Sequence, residues 1–303
     1  MLAAGGPAGL AVEDGSVYWT APREGAVMKT PVEGGMSTTL VRGRDHPVAI
    51  AVDPSFVYWT DYNQGGSVMK VPLHGGTATT LASHQAFAEA LAAGERAVYW
   101  TGRGRVTAAP LGGGRLTTLA SQQALPFGIA VSRAAVFWTD HAAGAAVLWR
   151  SVMWGPSAHR IALKGILERT MRQGEVMAAP LAGGPPWTVA AEQAGPGGIA
   201  TDGRAVYWTD DGSGRVMAAA LPGGSPTVLA SGQQGPGDIA VDGASVYWVN
   251  FTSGTVMKAP LGGGDPVTLA SGQNEPGAIA VDGSSVYWTD ATGEGRLMKL
   301  TPK

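Results

Sequence analysis

A tryptophan recurs along this chain with a nearly constant stride. It stands at Trp19, Trp59, Trp100, Trp138, Trp208, Trp248 and Trp288, at spacings of 40, 41, 38, 70, 40 and 40 residues. Six of the seven Tyr come immediately before these Trp, and Phe137 fills the remaining place. An Ala lies eight residues ahead of each, at Ala11, Ala51, Ala92, Ala130, Ala200, Ala240 and Ala280. A period of about 40 residues marks a unit that cannot bury its apolar surface alone and must stack on copies of itself.

The unit reads P-x-x-I-A-V-D-G-x-x-V-Y-W-T-D, then G-x-V-M-K-x-P-L-x-G-G, then T-L-A-S-x-Q. It holds four short runs of strand character. In one copy these are Ile239-Ala240-Val241, Val246-Tyr247-Trp248, a run beginning Val256-Met257-Lys258, and Val267-Thr268-Leu269. Asp242-Gly243, Gly254 and Gly262-Gly263-Gly264 punctuate them as turns. Four strands per ~40 residues is the signature of a β-propeller blade. The fold class expected is therefore all-β: a single propeller domain over 1–303, with seven four-stranded blades. The small Ala fits where the innermost strands converge on the axis. The Tyr-Trp pair fills the wider gap outside it, each ring burying ~150–250 Å².

Composition agrees. Gly and Pro together make up about 22% of the chain, against a usual ~12%. Charged residues are 15% while apolar ones remain 45%. Many short elements joined by tight turns account for both figures. The formal net charge of −2 argues against a nucleic-acid partner. The absence of Cys excludes disulfides, thiolate metal sites and a Cys nucleophile. No apolar run reaches the ~18 residues of a membrane span. The first residues lack the basic start and the long apolar stretch expected of a signal peptide.

The repeats leave one strand short. The chain enters at the first strand of blade 1, Leu10-Ala11-Val12, and ends in the third strand of blade 7, Leu297–Leu300. Aligned by the repeat, Met1 falls at the end of an outer strand. The last blade is then either three-stranded, with an open edge, or completed by residues upstream of Met1. An open edge would also admit assembly by strand addition; a monomer is the expectation.

The loops joining strands two and three share a face with the loops between blades, the usual ligand face of a propeller. Blade 4 breaks the stride there. About 30 extra residues form an insert, 143–175, between its second and third strands. Loops this long inside a compact domain are usually functional or disordered. The insert reads as helical, with Ser157 as N-cap and Gly174 as the glycine past its end. Leu163, Ile166, Leu167 and Met171 fall on one side; Arg160, Lys164, Glu168, Arg169 and Arg172 fall on the other. Trp149 and Trp154 precede it. The candidate ligand contacts are thus Trp149, Trp154, Arg160, Lys164 and Arg169, in a docking element or lid. A packed decoration and a decayed eighth repeat are the bland alternatives. The second leaves too few residues for two strands of the next blade.

A ring of amides lies on the same face. Gln85, Gln123, Gln193, Gln233 and Gln273 each stand 13 residues ahead of the V-Y-W valine; Arg44 and Ala4 replace them in blades 2 and 1. Gln123, Gln193, Gln233 and Gln273 are candidate ligand contacts. The plainer reading is that each amide ties its own loop to the backbone. No metal site and no cofactor are expected. The five His (His46, His74, His84, His141 and His159) show no ligand spacing, and Asp210-Asp211-Gly212-Ser213-Gly214 reads as a turn rather than a calcium loop. Neither G-x-S-x-G nor H-E-x-x-H occurs.

The V-Y-W-T-D phrase at Val57–Asp61, Val206–Asp210 and Val286–Asp290 resembles the YWTD-repeat propellers of low-density-lipoprotein-receptor type proteins. The fuller V-M-K-x-P-L-x-G-G consensus resembles bacterial arrays of secreted or surface propeller proteins. The resemblance covers the chain except the insert, although receptor-type propellers have six blades and this chain has seven. It implies binding of a protein or other extracellular ligand at one face, without catalysis, at the cell surface or outside it. It also implies that Asp61, Asp140, Asp210 and Asp290, with Asn250, bridge strands or blades by hydrogen bonds. Ala21 and Gly102 replace them, so blades 1 and 3 should be tied less firmly. The rival expectation is a metal-dependent lactonase, hydrolase or lyase acting at the central channel. Propeller lactonases and streptogramin lyases carry acidic or His residues at the channel mouth. Glu89, Asp238, Glu275 and His141 are the residues here that could match, with no recurring pair among them.

Overall fold

The computed structural model describes residues 1–141, 174–291 and 293–303. Seven antiparallel four-stranded sheets form a ring; six are ordered from the channel outwards along the chain, and the seventh takes its outer strand from the N-terminus. Blade 5 shows the pattern with Pro196–Thr201, Ala205–Asp210, Arg215–Ala220 and Thr227–Ala230. Blade 6 repeats it with Pro236–Val241, Ser245–Asn250, Thr255–Pro260 and Val267–Ala270. β-branched and aromatic residues fill the second strands, which favours extended backbone half-buried on a pleated surface. A register shift between Val216 and Met217 recurs between Val256 and Met257. Such a bulge lets the outer strand twist away from its neighbour.

Neighbouring side chains of a strand point to opposite faces, and the Tyr-Trp pair exploits this at every seam. Tyr18 packs with Trp59 of the next blade, and Tyr58 with Trp100. Tyr99 packs with Trp138, and Phe137 with Trp208. Tyr207 packs with Trp248, and Tyr247 with Trp288. Tyr287 closes the circle on Trp19. Each second strand thus sends its Trp into the preceding seam and its Tyr into the following one. All seven Trp are at most 3% exposed. The Ala ring sits beside them: Ala11 against Trp59, and Ala240 against Trp288.

Hydrogen bonds reinforce the seams. Thr20 donates to the Val48 carbonyl at 2.7 Å, Thr139 to Gly197 at 2.8 Å and Thr209 to Gly237 at 2.6 Å, each in the next blade. On the opposite face Lys70 donates to Leu111 at 2.5 Å, and Lys299 to Val32 at 2.7 Å.

Blade 7 is four-stranded rather than three-stranded, and its outer strand comes from the chain's own first residues. Ala3–Ala4 pairs antiparallel with the third strand Arg296–Leu300, Ala3 opposite Leu297 and Ala4 opposite Arg296. Leu2 takes the place of the repeat leucine and packs into the closing seam. The N-terminus therefore lies two residues deeper in the outer strand than the sequence alignment places it.

The candidate helix of the insert lies outside the described residues. At its end the third strand of blade 4 begins at Gly174, with Glu175 opposite Asp140. Gly174, expected as the glycine past the helix, is a strand residue. A Cβ there would meet Cγ of Pro196 at 2.8 Å, which accounts for glycine at this position.

Candidate functional site

The loops between blades fold back on the turns between strands two and three. Gln123 donates its backbone N–H to Gly104 at 3.0 Å, Gln233 to Gly214 at 2.9 Å and Gln273 to Gly254 at 2.9 Å. Gly214 sits at φ +62°, and a Cβ there would meet the Gln233 carbonyl at 2.7 Å. This contact needs glycine on both counts. These loops place both sets on one face, as the repeat predicts.

The Gln ring is built into that face as structure. The Gln193 Oε1 accepts the Trp208 indole N–H at 3.0 Å, and its amide donates to the Ala191 carbonyl at 2.7 Å. Gln123, Gln233 and Gln273 accept from Trp138, Trp248 and Trp288, each at 2.9 Å. Gln85 does the same for Trp100 at 3.2 Å. Each amide therefore locks an indole to its own loop, which is the plainer of the two readings. In blade 2 Asp61 accepts from Trp59 at 3.1 Å and pairs with Arg44, the residue replacing Gln. In blade 1 Thr30 accepts from Trp19 at 3.0 Å.

The repeat acids tie the end of strand two to the loop entering the same blade. Asp140 accepts from Leu125 and Ala124 at 2.6 and 3.1 Å, Asp210 from Ala194 at 3.2 Å, and Asp290 from Asn274 at 2.9 Å. Asn250 instead donates to Gln233 at 2.9 Å.

Inside this frame the channel mouth is lopsided. Two positions flank the repeat Pro, and a third follows strand two. In blades 2 to 4 they carry His46, Val48 and Tyr62, then Phe87, Glu89 and Arg103 around Ala88, which replaces the Pro, then Leu125, Phe127 and His141. In blades 5 and 6 the flanking positions are Gly195, Gly197, Gly235 and Gly237, with Asp211 and Phe251 after the second strands. The large side chains touch. Tyr62 donates to Glu89 Oε1 at 3.1 Å, and its ring meets Phe87 edge-on at 5.4 Å. The Arg103 guanidinium lies 5.3 Å from the Phe87 ring centre. Phe127 meets His141 edge-on at 5.5 Å. Beside them opens a cleft of about 340 Å³ lined by Phe87, Glu89, Arg103, Gly104, Gln123, Ala124, Leu125 and Pro126. That volume lies at the lower end of small-ligand sites.

Electrostatics differ among the four candidate mouth residues. Burial pushes the His141 imidazole down to about 4, so it is neutral at physiological pH. Burial lifts the Asp238 carboxyl to about 6 against the pull of two backbone donors. Asp238 is committed to the seam: it accepts from Ile239 at 2.9 Å and from Ile279 of blade 7 at 3.0 Å. Glu89 and His141 belong to the lopsided wall. Glu275 stands ahead of its repeat Pro in blade 7. Among the described residues no group of three or more His, Asp or Glu could hold a metal ion. The Asp211–Ser213 segment is a single 3-10 turn.

Trp149, Trp154, Arg160, Lys164 and Arg169 lie outside the described residues, between His141 and Gly174 in the sequence. Tyr62, Phe87, Arg103 and Phe127 escape the sequence reading. Aligning the columns beside the repeat Pro would have exposed Phe87 and Phe127, since those columns hold Gly in blades 5 and 6; Tyr62 and Arg103 stand in the column after strand two. Among the described residues no helix is long and apolar enough to cross a membrane.

No protein-family model and no curated protein matches the sequence. Solved structures do resemble the fold. A nidogen/laminin complex is similar at TM-score 0.57 and 21% identity, over 79% of this chain and 87% of that one. A catalytically inactive virginiamycin B lyase from Staphylococcus aureus with quinupristin is similar at TM-score 0.74 and 13% identity, over 98% and 95%. The hydrazine synthase of Kuenenia stuttgartiensis is similar at TM-score 0.74 and 13% identity, over 98% and 96%.

Proposed function

We propose that this propeller is a non-enzymatic binding protein that seats its ligand on the insert-bearing face, over the channel mouth. One observation carries the reading. The seams repeat from blade to blade, whereas the two positions flanking the repeat Pro do not: His46, Phe87, Glu89, Leu125 and Phe127 stand there in blades 2 to 4, and glycines stand there in blades 5 and 6. Ring structure alone gives no reason for that asymmetry, and function resides in a site rather than in a fold. The likeness to a nidogen/laminin complex supports a protein ligand. The insert departs from the same wall, so Trp149, Trp154, Arg160, Lys164 and Arg169 join the proposed contacts.

The test is a paired capture from the source organism. The baits are the intact chain and a version with residues 143–173 replaced by the short Gly-Ser-Gly turn of blade 5. A partner held only by the intact chain supports the reading, and identical captures overturn the role of the insert. Glu89 in the cleft lining, with His141 in the same set of columns and lyases among the similar structures, gives a second reading of hydrolase or lyase chemistry at the channel. Turnover of lactones or cyclic depsipeptides with Ca²⁺ or Mg²⁺ added would favour it.

A further inference from the structure

Two residues of the mouth are held in backbone conformations that their side chains oppose. Blade 3 turns from its second to its third strand in two residues, Arg103 and Gly104, with Gly102 opposite Arg105. Their φ values are +47° and +69°. A type I′ turn needs positive φ at both places and favours Asn, Asp or Gly at the first. Phe87, just ahead of the position of the repeat Pro, has φ +59°, where blades 1 and 6 carry Gly6 and Gly235. Positive φ in a bulky residue is a genuine outlier. Such strain persists only where the surroundings enforce it, and it clusters at functional sites.

The two strained residues meet. The Arg103 guanidinium lies 5.3 Å from the Phe87 ring centre, and both residues line the cleft of about 340 Å³. Tyr62 backs the Phe87 ring edge-on at 5.4 Å. Arg103 is exposed, and among the described residues no hydrogen bond or ion pair engages its guanidinium. A guanidinium packed on a ring keeps the donors at its edge for a planar acceptor. Its fork of N–H groups matches a carboxylate through two parallel hydrogen bonds. Glu89, the acid of the cleft lining, accepts from the Tyr62 hydroxyl. Its charge repels a second carboxylate, which confines an incoming one to the Arg103 side. Leu125 and Pro126 give an apolar lining to the stem that carries it.

We propose, resting on the binding reading above, that Arg103 on its Phe87 shelf recognises a carboxylate of the bound partner, and that the strain in both residues is retained for this contact. An NMR titration of the intact chain with three probes of one shape tests it: 3-phenylpropionate, 3-phenylpropan-1-ol and 3-phenylpropylammonium. The carboxylate should bind at least about fivefold tighter than the alcohol, the ammonium no tighter than the alcohol, and added salt should weaken the carboxylate. Arg103→Gln should erase the fivefold margin, Arg103→Lys should keep only part of it, and Glu89→Gln should widen it by deleting a like charge. Stability is the second readout. Arg103→Asn puts a preferred residue into the turn, so it should raise the melting temperature while erasing the margin. A merely structural Arg103 gives the reverse, a lower melting temperature with binding unchanged. Arg133→Ala, in an exposed ion pair with Glu95, should change neither readout. Near-ultraviolet circular dichroism checks that each variant is folded.

Equal binding of carboxylate and alcohol, tighter binding of the ammonium, or no binding of any probe would overturn the assignment. So would an Arg103→Asn chain that is less stable or still selects the carboxylate. Failure here is separable from failure of the binding reading. A partner lost on replacement of residues 143–173 but retained by Arg103→Asn keeps the face and discards the carboxylate contact. A partner retained by both discards the contact and the role of the insert alike.

Discussion

A buried indole N–H must find an acceptor, because leaving it without one costs about 1–3 kcal/mol. Gln193 supplies that acceptor to Trp208 and is itself only 9% exposed. Gln193→Leu should therefore lower stability by about 1–3 kcal/mol, measured by urea denaturation. The loss should shrink when Trp208→Phe is already present. Equal losses in both backgrounds would mean the hydrogen bond is not the cause. Asp238 makes a second point at this scale. Blade 6 has Val249 where Thr209 and Thr139 reach across their seams, and it alone has a carboxylate two residues past the repeat Pro. The carboxylate takes over the missing link by accepting from Ile279. Its pKa is raised to about 6 in the fold, so the folded state prefers the protonated acid. That contribution is full below the unfolded-state value near 3.9 and is lost as pH rises through 6. Asp238→Asn should flatten the stability profile between about pH 4 and 6. A profile parallel to that of the parent would contradict the assignment.

At the scale of the blade, most of the strands were legible in the sequence, because the period and the turn glycines leave few alternatives. The seams were legible only in kind. That a Tyr meets the next blade's Trp follows once the two faces of a strand are placed, but the acceptor for each indole differs. Gln serves in five blades, Asp61 in blade 2 and Thr30 in blade 1. The repeat also misleads in blade 3. Gly102 occupies the place of the consensus Asp, and restoring it looks stabilising on paper. A Cβ there would meet the Phe87 carbonyl at 2.9 Å and the Ala88 Cα at 3.3 Å. Gly102→Asp should therefore lower stability by about 1–3 kcal/mol, read from the denaturation midpoint. Added stability would show that the loop of Phe87 yields, and with it the wall of the mouth. Glycine here stands where the aromatic loop crosses closest, which a one-dimensional alignment cannot reveal.

At the scale of the molecule, the ring is closed by joining its two ends. Ala3–Ala4 completes blade 7, Leu2 enters the last seam, and Lys299 reaches across to Val32. Removing residues 1–4 should lower the melting temperature and leave the blade-7 edge open to pairing between chains. Sedimentation and a thermal scan check both, and an unchanged scan would mean the seam closes without them. The ring itself is nearly sevenfold, whereas its mouth is not, and the sequence concealed this because the departures lie in columns that the consensus leaves blank. The most direct test of the binding face is hydrogen exchange on the intact chain with and without its captured partner. Protection should concentrate at residues 44–48, 85–91 and 121–128, the loops that carry the lopsided wall. Protection confined to the outer strands, or to the turns of the opposite face, would contradict the account.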